Sequence, residues 1–311
     1  MVQIKLLVSV ILVAALSVAN GFKLMGEFEG SNLQIANAFA KELPHQVQDL
    51  VRYHPATHIT VEQRGGRWLI MLDSNGCLKS LSSQSKEQLE SVHRLLTALC
   101  ADTRNDVWVT SGTNLEYVFR HWGGIPRLNF AAEHASIIVP HDKAPYNDRQ
   151  VPKVDELRDA VRSITEKYNF ETTAFQMDHT VVLIHPNPQD SGVRTMIKEL
   201  ERLAERFPDY IYLRQPGLNH IEFKHKKADK GKLVKKLLAS GRYSYGLAIG
   251  DKLIDEGMLG VMRGANFGSV KVSSDGEEKT TAQYRLDDYN DVERMLTQLI
   301  NIRAASSSRR R

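Results

Sequence analysis

Cysteine is nearly absent from this 311-residue chain, which has only Cys77 and Cys100. A disulfide framework is therefore excluded as the source of stability, and the fold must rest on an apolar core. Residues 86–100 show helical spacing, and a helix of that length runs about 22 Å. Cys77 would lie near its start and Cys100 at its end, too far apart for a bridge that needs Cα atoms within about 7 Å. Two free thiols are expected. The sequence also lacks any Asn-x-Ser/Thr sequon, which excludes N-glycosylation at that motif. It lacks a strong charge of one sign, since Lys+Arg 41 against Asp+Glu 37 leaves only +4. Nucleic-acid binding calls for a concentrated basic face, so no such partner is expected. The basic residues gather at 224–236 and in the closing SSSRRR, and residues 304–311 read as a disordered basic tail.

Long apolar runs are missing too, save one at the N-terminus. Lys5 precedes the apolar stretch Leu6–Leu16, and Ser17-Val18-Ala19 supplies small residues suited to cleavage. A bilayer span needs about 20 apolar residues, so the stretch reads as a secretory signal peptide over residues 1–21. Secretion follows, with no membrane attachment after cleavage. The alternative is an uncleaved anchor.

What is present is an alternation of strands and helices. Residues 22–65 read as an N-terminal helical segment, from the spacing in NLQIANAFAKELPHQVQDLVRY. THITVEQRGGRWLIML suggests an alternating strand, a Gly-Gly turn and a buried strand. SKEQLESVHRLLTALC is an amphipathic helix with Ser85 as its N-cap, DVWVTSG a second buried strand, and NLEYVFRHWG a helix closed by Gly123. Such alternation argues for an α/β fold with a parallel sheet and helices on both faces, whose ligands bind at the carboxyl ends of the strands. From residue 151 to 224 the pattern becomes helix-strand-strand, twice, which reads as a small inserted α+β unit. The parent pattern returns over 225–303, so 66–150 and 225–303 form the expected core.

Chemistry-bearing residues stand at the strand ends. WLIMLDSNGCL ends an apolar run in Asp73, with Asn75 two residues on. The next strand delivers Thr110, Ser111 and Gly112, a helix opens at Lys230, and YGLAIGD ends in Asp251, followed by Asp255 and Glu256. A carboxylate nucleophile, a Ser-Gly turn, a Lys and an acidic cluster in this order make a site for a phosphate and a divalent cation. Hard oxygen ligands suit Mg2+. Ser111 also reads as a cap for the helix after it, and Asp255 and Glu256 as first-turn residues favoured by a helix dipole.

These segments resemble the haloacid dehalogenase superfamily and, within it, the trehalose-phosphate phosphatases. MLDSNGCL is similar to that family's LDYDGTL motif, VWVTSG to its I-V-S-G-R segment, LNFAAEHASII to A-x-E-H-G, KHKKADKGKLVKKLL to the D-K-G helix, and LAIGDKLIDEGMLGVM to G-D-D-x-T-D-E-x-M-F. The resemblance covers about residues 66–300 in family order. It implies a Rossmann-like core with an inserted cap over the sugar, and hydrolysis of a sugar phosphate such as trehalose-6-phosphate. The implied catalytic pair is Asp73 and the residue at 75. The implied phosphate-binding residues are Ser111, Gly112 and Lys230. The implied Mg2+ ligands are Asp73, the backbone carbonyl of Asn75, Asp251 and Asp255. His179, His185 and Glu222 are the cap candidates for substrate. Several positions depart from the pattern. Asn75 stands in place of the acid/base Asp, Cys77 of Thr, Lys252 of Asp, Thr113 of Arg, and Ala135 of Gly. Pro186 and Asn187 replace the Tyr and Arg that end a cap strand. The alternative is a non-catalytic pseudophosphatase that binds a sugar, a phosphorylated ligand or a protein.

Overall fold

The computed structural model describes residues 43–308 apart from 81–84, 148–150, 153, 170–172, 176, 186–188 and 215–218. The expected signal peptide, the segment 22–42, Pro186, Asn187 and the last three residues of the basic tail lie outside the described residues. The chain divides into two compact units, one of Leu43–Asp148 with Asp229–Arg311, the other containing Arg149–Ala228.

The first unit contains β1 (His45–Gln46), β2 (Val51–Arg52), α1 (Pro55–His58), α2 (Val61–Gly65), β3 (Trp68–Asp73), α3 (Lys86–Ala101), β4 (Asn105–Thr110), α4 (Leu115–Trp122), β5 (Asn129–Ala132), β6 (Ile137–Val139) and β7 (Tyr146–Asn147). The second contains α5 (Asp155–Lys167), β8 (Thr173–Phe175), β9 (Thr180–Ile184), α6 (Ser191–Arg206), β10 (Tyr210–Arg214) and β11 (His220–His225). The first unit resumes with α7 (Lys230–Leu238), β12 (Tyr245–Gly250), α8 (Glu256–Gly264), β13 (Gly268–Val272), β14 (Lys279–Thr280), β15 (Tyr284–Leu286) and α9 (Tyr289–Ser308).

The larger sheet runs β2-β15-β13-β12-β3-β4-β5-β6-β7. It is parallel from β2 to β5 and ends in antiparallel β6 and β7. β3 lies at its centre with all of its residues buried, the pattern of a strand covered on both faces. Alternation along β3 divides its side chains between two cores. Trp68, Ile70 and Leu72 pack with Leu96 and Leu99 of α3 and Leu296 and Leu299 of α9. Leu69 and Met71 pack with Leu233 and Val234 of α7 and Met258 and Leu259 of α8. A residue at position 73 therefore falls on the α7–α8 side. Ser85 does cap α3, in a reciprocal capping box with Gln88.

The N-terminal segment differs from the sequence reading. Its described part is no long helix: Leu43 and Val47 are buried, β1 pairs with β14 and β2 extends the sheet beside β15. The expected strand in THITVEQ is instead α1 and α2. Thr60 and Gln63 form a capping box that starts α2, a local signal stronger than the short apolar alternation. Residues 304–308, expected in the tail, are instead helical. α9 continues through Ser308, since Ile302 packs on the core and Arg303 is buried, bonded to Asn105 Oδ1 and to the carbonyls of Arg64 and Gly66.

In the smaller unit an antiparallel sheet runs β10-β11-β9-β8. Val181, Leu183, Tyr212, Ile221 and Phe223 form a core with Val193, Met196 and Leu200 of α6 and Leu157 and Val161 of α5. Both helices thus cover one face, and His220, Glu222 and Lys224 alternate onto the other.

Candidate active site

Parallel register places the functional strand ends side by side. Asp73 is level with Thr110, Leu72 with Ile249, and Ser74 N–H donates to the Thr110 carbonyl at 3.0 Å. The next residues in chain order, Ser111 and Asp251, therefore emerge on either side of Asp73. On the α7–α8 face Asp73 meets Lys230, the first residue of α7. Asp229 starts that helix by accepting from Gly231 N–H at 2.7 Å. Lys230 is fully buried, not a solvated member of its basic run. Its ammonium donates to Asp73 Oδ1 and, at 2.6 Å, to Asp255 Oδ1.

Asp255 is not the metal ligand the sequence pointed to. Its Oδ1 is taken by Lys230, and its Oδ2 accepts from the Asp251 and Lys252 amides at 3.2 and 3.0 Å. It is a brace that ties the β12 turn to Lys230. A fully buried carboxylate requires such saturation. Gly250 makes room for it, because a Cβ there would lie 2.3 Å from Asp255 Cβ.

The candidate cation site is formed by Asp73, Cys77 and Asp251, whose ligand atoms lie within 4.8 Å of one another. Cys77 was not expected in this group. Its Sγ lies 4.0 Å from Asp251 Oδ1. Gly76, at φ 99°, lets the loop lie against Asp251, since a Cβ there would sit 2.0 Å from Asp251 Oδ2. Asn75 is half-buried on the same loop. Both cysteines are free and buried.

Electrostatics divides these groups. Burial, then the charge of Asp255, pushes the Asp73 carboxyl above its ordinary value, against Lys230 and Lys252. Burial, then Asp73, pushes Asp251 well above it. Burial opposes ionisation of Asp255 as well, but the charge and hydrogen bond of Lys230 outweigh it and hold that carboxyl below the usual range. Burial and the charge of Asp251 raise the Cys77 thiol far up. Two neighbouring carboxylates raised in this way are short of positive charge, and their oxygens are hard donors. They fit Mg2+.

Ser111 is buried, with its Oγ 2.8 Å from Thr113 Oγ1. It does not cap the following helix. Asn114 does, accepting from Tyr117 N–H at 2.9 Å. Gly112 packs on His134, where a Cβ would lie 2.5 Å from Cε1. The corner behind it holds Glu133, His134 and Ala135 at positive φ (48°, 57° and 69°), bonded back to Ser111 and Thr113.

The three cap candidates do not come together. His179 and His185 flank β9 at opposite ends, which puts them about 20 Å apart. Glu222 lies level with Val182, midway. All three are buried within the smaller unit. A second buried charge network escaped the sequence reading. Glu256 accepts from Thr281 N–H at 2.7 Å and Thr280 Oγ1 at 2.9 Å, and Lys271 lies 3.5 Å from it and 2.6 Å from Glu278. Lys271 looks like an outward-facing strand residue, and nothing local marks its partners.

The profile of the family described as trehalose-phosphatase matches residues 71–290, well over half of the chain. Among curated proteins, the chain is 25% identical over 241 residues to an alpha,alpha-trehalose-phosphate synthase (UDP-forming) B of Dictyostelium discoideum, covering 74% of this chain and 30% of that protein. It is 22% identical over 237 residues to a trehalose-phosphatase of Schizosaccharomyces pombe, covering 74% and 28%. It thus spans under a third of the length of these relatives. Among solved structures, the C-terminal domain of the C. albicans trehalose-6-phosphate phosphatase superposes with a TM-score of 0.67 at 18% identity, covering 81% of this chain and 99% of that one. A haloacid dehalogenase-like hydrolase from Bacteroides thetaiotaomicron gives a TM-score of 0.52 at 13% identity, covering 75% and 99%. The fold is haloacid dehalogenase-like, with a mostly parallel central sheet.

Proposed function

Because the chain belongs to the trehalose-phosphatase family, we propose that it binds a sugar phosphate such as trehalose-6-phosphate and cleaves it slowly through an aspartyl nucleophile. The observation that carries this reading is the buried Lys230 bridge between Asp73 and Asp255. It holds Asp73 rigid at the end of β3 and occupies Oδ1, which leaves Oδ2 to attack phosphorus. Asp73, Asp251 and the Asn75 backbone carbonyl would hold Mg2+, which supplies charge neutralisation at the phosphate when bound. Attack by Asp73 forms a bond to phosphorus and breaks the bond to the sugar oxygen, which must then take a proton. Asn75 offers an amide with no titratable proton at that point, and later has no base to activate water. Loss of a positioned general acid or base costs about 10²–10⁴-fold in rate. The phosphoryl group is therefore expected to pass onto Asp73 slowly and to leave slowly.

A pseudophosphatase is the second reading. It is favoured by Asn75 together with Lys252, which puts a positive charge near Asp251 and Asp73. The N-terminal pattern of Lys5, Leu6–Leu16 and Ser17-Val18-Ala19 supports secretion of the protein. N-terminal sequencing of protein recovered from the medium tests that point, and an intact Met1 would contradict it.

The chemistry is tested by acid-quenching the protein after incubation with trehalose-6-phosphate and Mg2+ and mapping any acyl phosphate by mass spectrometry. A phosphoryl adduct on Asp73, absent from Asp73→Asn, is the expected result. Its absence at all times, with no phosphate released, would leave the pseudophosphatase.

A further inference from the structure

Position 77 changes the kind of donor offered to a cation at the β3 end. The family pattern has Thr there, whereas this chain has a thiol. Asp73 and Cys77 are buried, and the Cys77 sulfur and one carboxylate oxygen each from Asp73 and Asp251 lie within 4.8 Å of one another. Among the described residues no other three side chains of ligand type converge in this way. The thiol is held in place by its loop. Gly76 N–H donates to the Lys79 carbonyl at 2.6 Å, and the Leu78 and Lys79 N–H groups both donate to the Ser74 carbonyl, at 3.0 and 2.9 Å. Ser74 Oγ accepts from Trp122 Nε1 at 3.1 Å, and the Lys79 ammonium donates to the Tyr117 hydroxyl at 2.8 Å. The loop is thus closed on itself and tied to α4 on both sides of Cys77. Asp251 points to a ligand independently. Among the described residues the Cys77 thiol is the one hydrogen-bond donor that faces its carboxylate, with Sγ 4.0 Å from Oδ1.

Mg2+ takes hard oxygens and keeps several waters, so the two carboxylates serve it and the sulfur does not. Zn2+ accepts thiolate and carboxylate together, with Zn–S about 2.3 Å and Zn–O about 2.0–2.2 Å. A tetrahedral ion with such bonds spaces its sulfur and oxygen about 3.6 Å apart. The gap between Cys77 and Asp251 closes onto that spacing with a small shift of side chains. Soft thiolate ligands select such ions over Mg2+. The thiol gives its proton to solvent as the sulfur–metal bond forms. Burial and the charge of Asp251 disfavour a bare thiolate here, and a dication between the two groups reverses that repulsion.

We propose that Cys77, Asp73 and Asp251 form a binding site for a thiophilic divalent ion of the Zn2+ type, which competes with Mg2+ for the two carboxylates. The proposal rests on the reading of Asp73 and Asp251 as the cation site. It leaves Mg2+ as the ion that serves the phosphate and makes the thiophilic ion its antagonist.

The test adds Cd2+ to the full chain in excess Mg2+ and reads the ultraviolet absorbance of a cadmium–thiolate bond, which histidines elsewhere on the chain do not produce. Zn2+ and Mg2+ binding are followed separately by calorimetry, and melting curves confirm folding. The wild type and Cys100→Ser are expected to gain the band, and Cys77→Thr and Cys77→Ser to lack it. Zn2+ added to the cadmium-loaded wild type should remove it. Cys77→Thr should bind Zn2+ at least about tenfold more weakly than the wild type, while its Mg2+ affinity changes little. Because the chain has only two cysteines, a band kept by Cys100→Ser assigns the sulfur to Cys77 even where a substitution at 77 unfolds the protein. A band lost from Cys100→Ser and kept by Cys77→Thr would overturn the proposal. So would a wild type that binds Mg2+ and shows no band, which leaves the cation site standing. No band and no heat with Mg2+ in any of the four proteins would remove the cation site itself.

Discussion

The two sides of the strand-end cluster are built from the same residue types, yet they are held in opposite ways. On one side Lys230 lies fully buried between Asp73 and Asp255, and every carboxylate oxygen of Asp255 has a donor. On the other side Asp251 and Lys252 are neighbours in sequence, share no ion pair, and leave Asp251 well above its ordinary value. The paired side is a finished structural joint that also carries Asp73, the carboxylate proposed as nucleophile. The unpaired side stores electrostatic tension that a ligand can relieve. A buried charge stabilises a fold only when its partners are complete, so the joint should govern stability and the open side should govern binding.

The largest difference should appear on cutting the joint. Lys230→Met leaves two buried carboxylates without their ammonium and is expected to cost about 3–5 kcal/mol in urea unfolding. Lys252→Met, which breaks no ion pair, should cost under about 1 kcal/mol. Equal losses would erase the distinction.

The two aspartates flanking the turn sharpen it through pH. Asp255 has a depressed carboxyl, so it contributes stability above its ordinary value of 3.8 that is lost as pH falls through its lower folded value. Asp251 has a raised carboxyl, so its ionisation weakens the fold as pH rises above 3.8. In metal-free buffer at neutral pH, Asp255→Asn should therefore lower the melting temperature. Asp251→Asn should raise it, by the few degrees that about 1 kcal/mol commands. The gain from Asp251→Asn should shrink as pH falls to 3.8 and disappear below it, where the wild-type carboxyl is protonated in both folded and unfolded chains. A gain that persists there would point to packing instead of charge.

The smallest effect is expected away from both sides, at the corner between β5 and β6. Ala135 holds φ 69° with a Cβ that this region disfavours. Ala135→Gly should stabilise by up to about 1 kcal/mol, read from the unfolding midpoint. A loss would mean that the Ala135 methyl packs well enough to offset the strain.

Much of the large sheet was legible because its strands are continuous apolar runs ended by polar turns, as with β3 at Asp73 and β12 at Gly250. The run length announced the strand, and the first polar residue after it marked the site. α6 and α9 could be placed because their apolar spacing is regular. The segment before β3 was obscure for the opposite reason. β1 and β2 are two residues each and depend on β14 and β15, far along the chain. That Asp73, Lys230 and Asp251 come together was legible from their places at strand and helix ends, but the hydrogen-bond partners of each carboxylate were not. Whether Asp255 faces a cation or Lys230 depends on which oxygen meets which amide, and no local pattern records that. Cys77 was marked in the sequence only as standing in place of a Thr, and its approach to Asp251 depends on the loop that Gly76 lays there.

In the proposed reading Asp73 keeps its role as nucleophile and Lys230 its support, while the acid/base role at position 75 is vacated by Asn75. Phosphate release from trehalose-6-phosphate with Mg2+ by the wild type and Asn75→Asp tests it directly. Intact mass must first exclude deamidation at Asn75-Gly76. Asn75→Asp is expected to exceed the wild type by about 10²–10⁴-fold. A wild type that already turns over as fast as Asn75→Asp would contradict it, because another group would then be moving the proton.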